Sequence, residues 1–154
     1  MQTTILKDVS LAYPKLSTAQ PNQFGAKQFD VRIDFPASRL AEIQPFSRQA
    51  ARPADVDGML SINVRLPEIN NKGKANSVRV VNMSGQSLTP TEVMEMGNGT
   101  KANVMVFQFD NKRDGKKSTH LRAIQVIEYK KYELESIDFD VVESTTKTEF
   151  NDQF

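Results

Sequence analysis

The feature that most constrains the fold is a pair of long alternating segments in residues 97–132, joined by a short basic turn. Valine alternates with Met105, Phe107 and Phe109 in the first segment, and aliphatic residues dominate the second from Leu121 onward. Alternation with a period of two is typical of β-strands, and the Asn, Asp and Gly between the segments tolerate the left-handed backbone of tight turns. The sequence therefore predicts a long β-hairpin with four cations at its tip: Lys112, Arg113, Lys116 and Lys117.

Further short strands are predicted before this hairpin. Apolar and polar residues alternate in residues 4–13, 28–35 and 59–66, and a shorter strand is predicted in 77–82. The order of elements contains no β-α-β alternation and no internal repeat. It therefore predicts an all-β protein with one short helix, folded as an OB-fold-like five-stranded Greek-key barrel.

The first strand is expected to place Ile5, Val9, Leu11 and Tyr13 on one face, with Leu6 off that face. Pro14 is expected to end this strand, so that residues 14–25 form a loop.

The predicted helix follows the second strand. Pro36 lies near its start, Ser38 is a candidate N-cap, and Leu40 and Ile43 share one helical face. Pro45 is expected to bend or split the helix. A further helical turn is expected to open at Thr89-Pro90.

Charge is divided unevenly along the chain. Residues 1–132 contain 19 Lys and Arg against 12 Asp and Glu, a net charge of +7, whereas residues 133–154 contain seven acids and Lys147, a net of −6. Because apolar periodicity is also lost near the end, we predict an OB-fold domain in 1–135 and a flexible acidic tail in 136–154. A basic body with an acidic tail points towards nucleic acid, although an ordinary solvated surface with a frayed end explains the same charges.

No enzyme chemistry is predicted. The chain has no cysteine and one histidine, His120, so thiolate metal sites and histidine-based triads are not expected. The Gly97–Thr100 segment precedes a strand instead of opening a helix, which indicates a sharp turn and not a dinucleotide site. We expect no catalytic residue, metal or cofactor, and we expect His120 to be an exposed strand residue. No apolar run approaches the roughly 18 residues of a membrane span, so no membrane partner is expected.

Binding of single-stranded nucleic acid is the function that the residues favour. Such binding combines cations that follow the phosphates with aromatic rings that stack on bases. Lys101, Phe107 and Phe109 share one face of their strand, and the other face is built from alanine and valine. If the alanine–valine face fills the core, the two rings point outward beside the basic tip. The alternatives are that the phenylalanine face is the core or that the helix covers it.

Aromatic and basic residues are also interleaved in the first loop and at the end of the last strand. Together with the hairpin and the basic turn in residues 70–74, they supply the candidate DNA-binding residues: Tyr13, Lys15, Phe24, Lys27, Lys72, Lys74, Lys101, Phe107, Phe109, Lys112, Arg113, Lys116, Lys117, Arg122, Tyr129 and Lys131.

Several short motifs resemble bacteriophage single-stranded DNA-binding proteins of the gene 2.5 type and their relatives. They are Tyr13-Pro14-Lys15-Leu16, the strand Phe29–Phe35, Gly97-Asn98-Gly99-Thr100, the turn with Gly115, and Leu121–Val126. The C-terminal residues are similar to the acidic tail of those proteins, with its terminal phenylalanine, but Lys147 departs from that pattern. The resemblance implies an OB fold, and a tail that recruits replication proteins through Glu149, Phe150, Asp152 and Phe154.

The resulting hypothesis is a phage protein that coats single-stranded DNA non-specifically during replication, recombination and repair, in the cytoplasm of the infected bacterial host. Its expected partners are single-stranded DNA and replication proteins, and a homodimer is compatible with it. Two other classes stay open: a phage structural β-barrel of a tail or decoration protein, and an RNA-binding OB module.

Overall fold

The computed structural model describes residues 2–132, and within them the chain is mainly strand. The strands are β1 (Gln2–Pro21), β2 (Lys27–Pro36), β3 (Arg52–Pro53), β4 (Met59–Pro67), β5 (Arg79–Val81), β6 (Thr100–Asp110) and β7 (Lys117–Glu128). The helices are α1 (Leu40–Ile43), which is flanked by 3-10 turns at Ala37–Arg39 and Gln44–Phe46, and α2 (Pro90–Met94).

The sheet is closed into a barrel by one pairing between distant strands. Its order is β3-β4-β2-β1-β6-β7-β5, and β4 also pairs in parallel with β7 where Arg65 lies opposite His120. This seam joins β1, β2, β4, β7 and β6 into a ring of five strands, while β3 and β5 lie outside it. Counted along the chain, the ring order is first, second, third, fifth and fourth, which is the arrangement of an OB fold. The predicted fold class is confirmed.

The barrel interior is built from one face of each strand. The predicted inward residues of β2 are all buried, namely Phe29, Val31, Ile33 and Phe35. Ile43 of α1 belongs to the same core cluster as the last three of them. This alternation is regular because β2 lies between two neighbours along its length, with one face against the core and the other half-exposed.

The strand β1 is longer than expected, and its faces are shifted. The prediction that Pro14 ends the strand is wrong, because the strand continues to Pro21 and pairs with β2. The ladder is interrupted between Ala12 and Lys15, so Pro14 lies where no pairing hydrogen bond is required. Tyr13, which has a φ of 49°, lies in the same interruption.

A second irregularity, at Asp8, explains which residues of β1 are buried. Asp8 has a φ of 51°, and the register with β6 shifts between Leu6 and Val9. A bulge adds one residue to one strand and thereby moves the alternation to the other face. Leu6 is consequently buried and Ile5 is 46% exposed, the reverse of the prediction. Tyr13, which was predicted on the same face as Val9 and Leu11, is also exposed, because it lies in the interruption of the ladder between Ala12 and Lys15.

The helical segments follow the prediction in part. Pro45 limits α1 to a single turn, as expected. Ser38 is not an N-cap, because the cap position of the first 3-10 turn is occupied by Pro36, which forms no side-chain hydrogen bond there. Leu40 is 39% exposed, so it does not share the burial of Ile43. The α2 helix begins after Thr89, whose side chain accepts a hydrogen bond from the Glu92 N–H in a capping box.

No helix within residues 2–132 is long and apolar enough to span a membrane. The predicted acidic tail, and the domain boundary after residue 135, lie outside the described residues and stay predictions.

Candidate nucleic-acid interface

The β6–β7 hairpin directs its two phenylalanines away from the core. Ala102, Val104 and Val106 are fully buried, so the opposite face of β6 is the outer surface of the barrel. Phe107 and Phe109 are therefore only half-buried, with their ring centroids 5.7 Å apart. The alternative in which the phenylalanine face forms the core is excluded.

Arg122 is placed over one of these rings by an irregularity in β7. The register between β6 and β7 shifts where Met105 pairs with Ala123 and Val106 pairs with Leu121, which leaves Arg122 without a partner in the ladder. Its guanidinium carbon lies 5.3 Å from the Phe107 ring centroid, a cation–π distance. The outer surface of the hairpin therefore carries an aromatic ring next to a cation, as base stacking and phosphate binding require.

His120 lies at the seam of the barrel and is half-buried, in contrast to the exposed position that was predicted. Its ring meets the Phe109 ring edge-on, with centroids 4.8 Å apart, and its backbone pairs with that of Arg65 across the seam. Burial, with the positive charge of Arg65 as a second cause, lowers the pKa of His120 below its ordinary value. The pairing that closes the barrel thus brings an imidazole, a guanidinium and an aromatic ring together.

Strand pairing extends this cluster into a row around the barrel. Lys15, Asp30, Arg65, His120 and Phe107 are successive partners across β1, β2, β4, β7 and β6, and none of the five is buried. Neighbouring strands lie about 5 Å apart, so the row spans about 20 Å of outer surface. It crosses β2 and β4, the face with which OB folds bind oligonucleotides.

A wide groove lies beside this row. Its volume is ≈ 1350 Å³, and its walls are the segment 45–53, the outer face of β4 and the tip of the β6–β7 hairpin. The groove is strongly basic, because its lining residues include seven cations and one acid, Asp110. The cations are Arg32, Arg48, Arg52, Arg65, Lys112, Arg113 and Lys117. Phe109 and His120 also line it.

Arg48 connects two walls of the groove. Its Nη2 donates to a carboxylate oxygen of Asp114 at 3.0 Å, and its Nε donates to the Lys117 carbonyl at 3.2 Å. Gln108 supports the same contact by donating to the Pro45 carbonyl at 2.9 Å. The Lys116 backbone N–H, and to a lesser extent Arg48, lower the pKa of Asp114, so this carboxylate stays ionised within the basic turn.

Arg32 is held by carboxylates at another part of the groove. It forms ion pairs with Asp34 at 2.9 Å and with Asp55 at 3.0 Å, and its guanidinium lies 5.0 Å from the centroid of the Tyr13 ring. Because two acids offset its charge, Arg32 offers less to a phosphate than the unpaired cations do. Tyr13, which is 55% exposed, is presented at this edge.

The structure brings some of the predicted DNA-binding residues into the groove. Phe109, Lys112, Arg113 and Lys117 line it, and Phe107, Lys116 and Arg122 belong to the same hairpin. Lys15 lies in the row that leads to the seam.

Four further predicted residues lie in or next to two turns at one end of the barrel. Phe24 belongs to the β1–β2 connection, Lys27 is the first residue of β2, and Lys72 and Lys74 belong to the turn after β4. The start of β2 and the segment after β4 meet where the Glu68 N–H donates to the Lys27 carbonyl at 3.0 Å. Phe24 is 84% exposed, and Asn71 of the second turn lines the groove.

Three predicted residues lie at the other end of β6 and β7. Lys101 pairs with Glu128, the Tyr129 hydroxyl donates to the Glu92 carbonyl at 2.7 Å, and Lys131 lies 3.7 Å from Glu95. From Lys101 to Asp110 the strand runs about 30 Å at its usual rise, so these residues are remote from the hairpin tip. The structure does not bring them to the groove.

Sequence reasoning missed the arginines of the groove. Arg32 and Arg65 occupy the polar faces of predicted strands, so alternation placed them outward but did not reveal that they share a surface. Arg48 and Arg52 lie in a segment without a predicted strand. Within residues 2–132, no group of three or more His, Cys, Asp or Glu residues could hold a metal ion.

The fold is similar to that of single-stranded DNA-binding proteins from bacteriophages. One is the protein from bacteriophage Enc34 in complex with ssDNA, at a TM-score of 0.56 and 16% identity, covering 84% of this chain and 88% of that chain. Another is gp2.5, encoded by bacteriophage T7, at a TM-score of 0.58 and 13% identity, covering 91% and 99%. The resemblance found in the sequence motifs is confirmed at the level of the fold. No protein-family profile and no curated protein sequence matches this chain.

Proposed function

We propose that this protein binds single-stranded DNA in the basic groove without recognising its sequence. The observation that carries the proposal is that the outward ring of Phe109 lines a groove with seven cations and lies 5.7 Å from a second outward ring, Phe107. Cations bind any phosphate backbone, and every base has a face on which an aromatic ring can stack, so the combination is tolerant of sequence. The fold shared with phage single-stranded DNA-binding proteins supports the same assignment.

The groove favours a single strand over a duplex for a physical reason. Bases in a duplex are stacked on one another, and their faces are closed to protein side chains. A ring such as Phe109 gains a base–aromatic stack, worth about 1–3 kcal/mol, only when the base is unpaired. We infer that the protein coats exposed strands during DNA replication, recombination and repair in phage-infected cells, with a binding role and no catalytic one.

Fluorescence anisotropy with labelled oligo-dT tests the proposal. We expect tighter binding to oligo-dT than to a duplex of equal length at 50–200 mM salt. Preference for the duplex would refute the proposed groove chemistry, and binding of neither would favour the structural β-barrel. A parallel titration with oligo-U addresses the RNA-binding alternative, which predicts that oligo-U binds more tightly than oligo-dT.

The predicted acidic tail, residues 136–154, is proposed to compete with DNA for the basic body and to recruit replication proteins when displaced. The supporting fact is charge: residues 1–132 carry +7, and residues 133–154, which include the tail, carry −6. A tethered segment experiences its own body at about millimolar effective concentration, where weak attraction suffices for partial occupancy. A chain ending at residue 135 should bind oligo-dT more tightly at low salt, with the gain fading as salt screens the charges. Unchanged affinity at low salt would contradict the competition.

Pull-down of replication proteins tests the recruiting role separately. The full-length chain should retain a partner that is lost when Phe154 is replaced by alanine. Retention of the same partner by the variant would contradict a role for the terminal ring.

A further inference from the structure

His120 is placed where nucleic acid would enter, and its backbone, not its ring nitrogens, takes part in the pairing that closes the barrel. Its half-buried ring lines the groove at the barrel seam, edge-on to Phe109. Neither a hydrogen bond nor an ion pair engages its ring nitrogens within residues 2–132. A ring nitrogen in such a position is available to a ligand in the groove.

The charges around His120 explain why its ring is neutral before DNA arrives. The neighbouring strand β4 presents Arg65, and β6 presents the uncharged rings of Phe107 and Phe109. Further along the groove, the segment 45–53 contributes Arg48 and Arg52, while the hairpin contributes Lys112, Arg113 and Lys117 with Asp110 as the opposing acid. Protonation would place a further positive charge among these cations and would cost hydration, so both effects disfavour it.

We propose that His120 contacts the nucleotide in the groove and takes up a proton from solvent as DNA binds, which makes the affinity for single-stranded DNA pH-dependent. The inference rests on the proposed function, because it requires phosphates in the groove. Their negative charge offsets that of Arg65 and attracts an imidazolium, which donates hydrogen bonds from both ring nitrogens. Binding and protonation therefore favour each other.

The sign of the pH dependence follows from this coupling. DNA raises the pKa of His120 above its value in the free protein. The gain in affinity is fully present below the free-protein value and is lost as the pH rises through the DNA-bound value. A base stacked on Phe109 that merely dehydrated the imidazole would have the opposite effect, lowering the pKa and weakening binding in acid.

The sole histidine makes a direct measurement possible. Because His120 is the one histidine of the chain, its ring proton resonances in an NMR spectrum of the full-length protein need no assignment. A pH titration without DNA and with saturating oligo-dT reports both midpoints. We expect a free-protein midpoint below about 6.5, the ordinary value, and a higher midpoint with oligo-dT. A midpoint that oligo-dT leaves unchanged or lowers would overturn the inference.

Affinity measurements with variants give an independent readout. The wild-type Kd for oligo-dT should fall about three- to tenfold between pH 7.5 and 5.5, within the tenfold per pH unit that one linked proton allows. His120→Gln should remove this dependence, and His120→Arg should bind at pH 7.5 as the wild type does in acid. The same pH dependence in wild type and His120→Gln would refute the linkage. Failure to bind oligo-dT at any pH would overturn the proposed function itself, whereas binding with an unchanged NMR midpoint overturns this inference alone.

Discussion

Removing the cations of the hairpin tip should reduce both the affinity for oligo-dT and its salt dependence. The variant replaces Lys112, Arg113 and Lys117 by alanine, because these three hairpin cations line the groove. Each is exposed, and the ion pair of Lys117 with Asp110 is solvent-exposed on both sides. Exposed pairs contribute little to folding, so the melting temperature should barely change.

The magnitude follows from the charges that the structure leaves available. Of the seven cations in the groove, Arg32, Arg48 and Lys117 are paired with carboxylates, but the pair of Lys117 with Asp110 is the most exposed, with side chains 63% and 80% accessible. Because such an exposed pair contributes little, Lys117 can exchange Asp110 for a phosphate. Five cations are therefore available for phosphates: Arg52, Arg65, Lys112, Arg113 and Lys117. At about −0.7 per contact on single strands, the slope of log K against log salt should be about −3.5, and about −1.4 in the variant. Because the three lost contacts contribute about 2.1 to this slope, affinity at 0.1 M salt should fall on the order of 100-fold, and the difference should vanish towards 1 M.

A matched variant separates local contact from general charge. Lys7, Arg79 and Lys130 are exposed and lie outside the groove, so replacing them by alanine removes the same net charge elsewhere. Anisotropy titrations at four or five salt concentrations should show a slope close to wild type for this control. Equal slopes in the two variants would refute the groove as the phosphate-binding surface and leave only long-range attraction by the basic body.

Three further predictions concern individual residues. Phe109→Ala should weaken oligo-dT binding by about 1–3 kcal/mol, the contribution of one base–aromatic stack. Phe35→Ala, at a fully buried position, should instead lower the free energy of unfolding by about 3–5 kcal/mol. Equal losses of unfolding free energy for the two variants in denaturant titrations would contradict an outward Phe109 ring. Gly97→Ala should lower the melting temperature, because its Cβ would lie 2.7 Å from the Tyr132 backbone nitrogen, and an unchanged melting temperature would argue against that close approach. The fold lowers the pKa of His120, so the neutral ring contributes stability above about pH 6.5, and this stability is lost as the pH falls through the folded-state pKa. The melting temperature should therefore depend less on pH between pH 7 and 5 in His120→Gln than in the wild type. Equal pH dependence in the two proteins would contradict this sign.

The sequence determined the elements whose information is local. Alternation in β2 predicted every buried residue of that strand, from Phe29 to Phe35, because side chains on a strand point to opposite faces in turn. The hairpin tip was equally predictable, since Asn111 and Gly115 supply the turn that residues 111–116 adopt. Turn chemistry and strand period do not depend on what the strand packs against.

Other features of β1 and β6 could not be obtained from local patterns. Both faces of β6 are apolar, and only its neighbours on either side decide that the face with Val104 fills the barrel and the face with Phe107 does not. In β1, the bulge at Asp8 exchanges the roles of Ile5 and Leu6. Such a bulge depends on how the strand fits its partner, which no count of alternating residues contains.

The groove was decided by tertiary structure alone. The pairing of Arg65 with His120 joins residues 55 positions apart and brings β4 against β7, and Arg48 then reaches Asp114 across 66 positions. Sequence analysis identified cations and aromatic rings as separate clusters, at the hairpin tip, in the turns and near Lys131. Which of these clusters share a surface depends on barrel closure, and closure results from contacts between strands distant in sequence, which leave no periodic pattern in the chain.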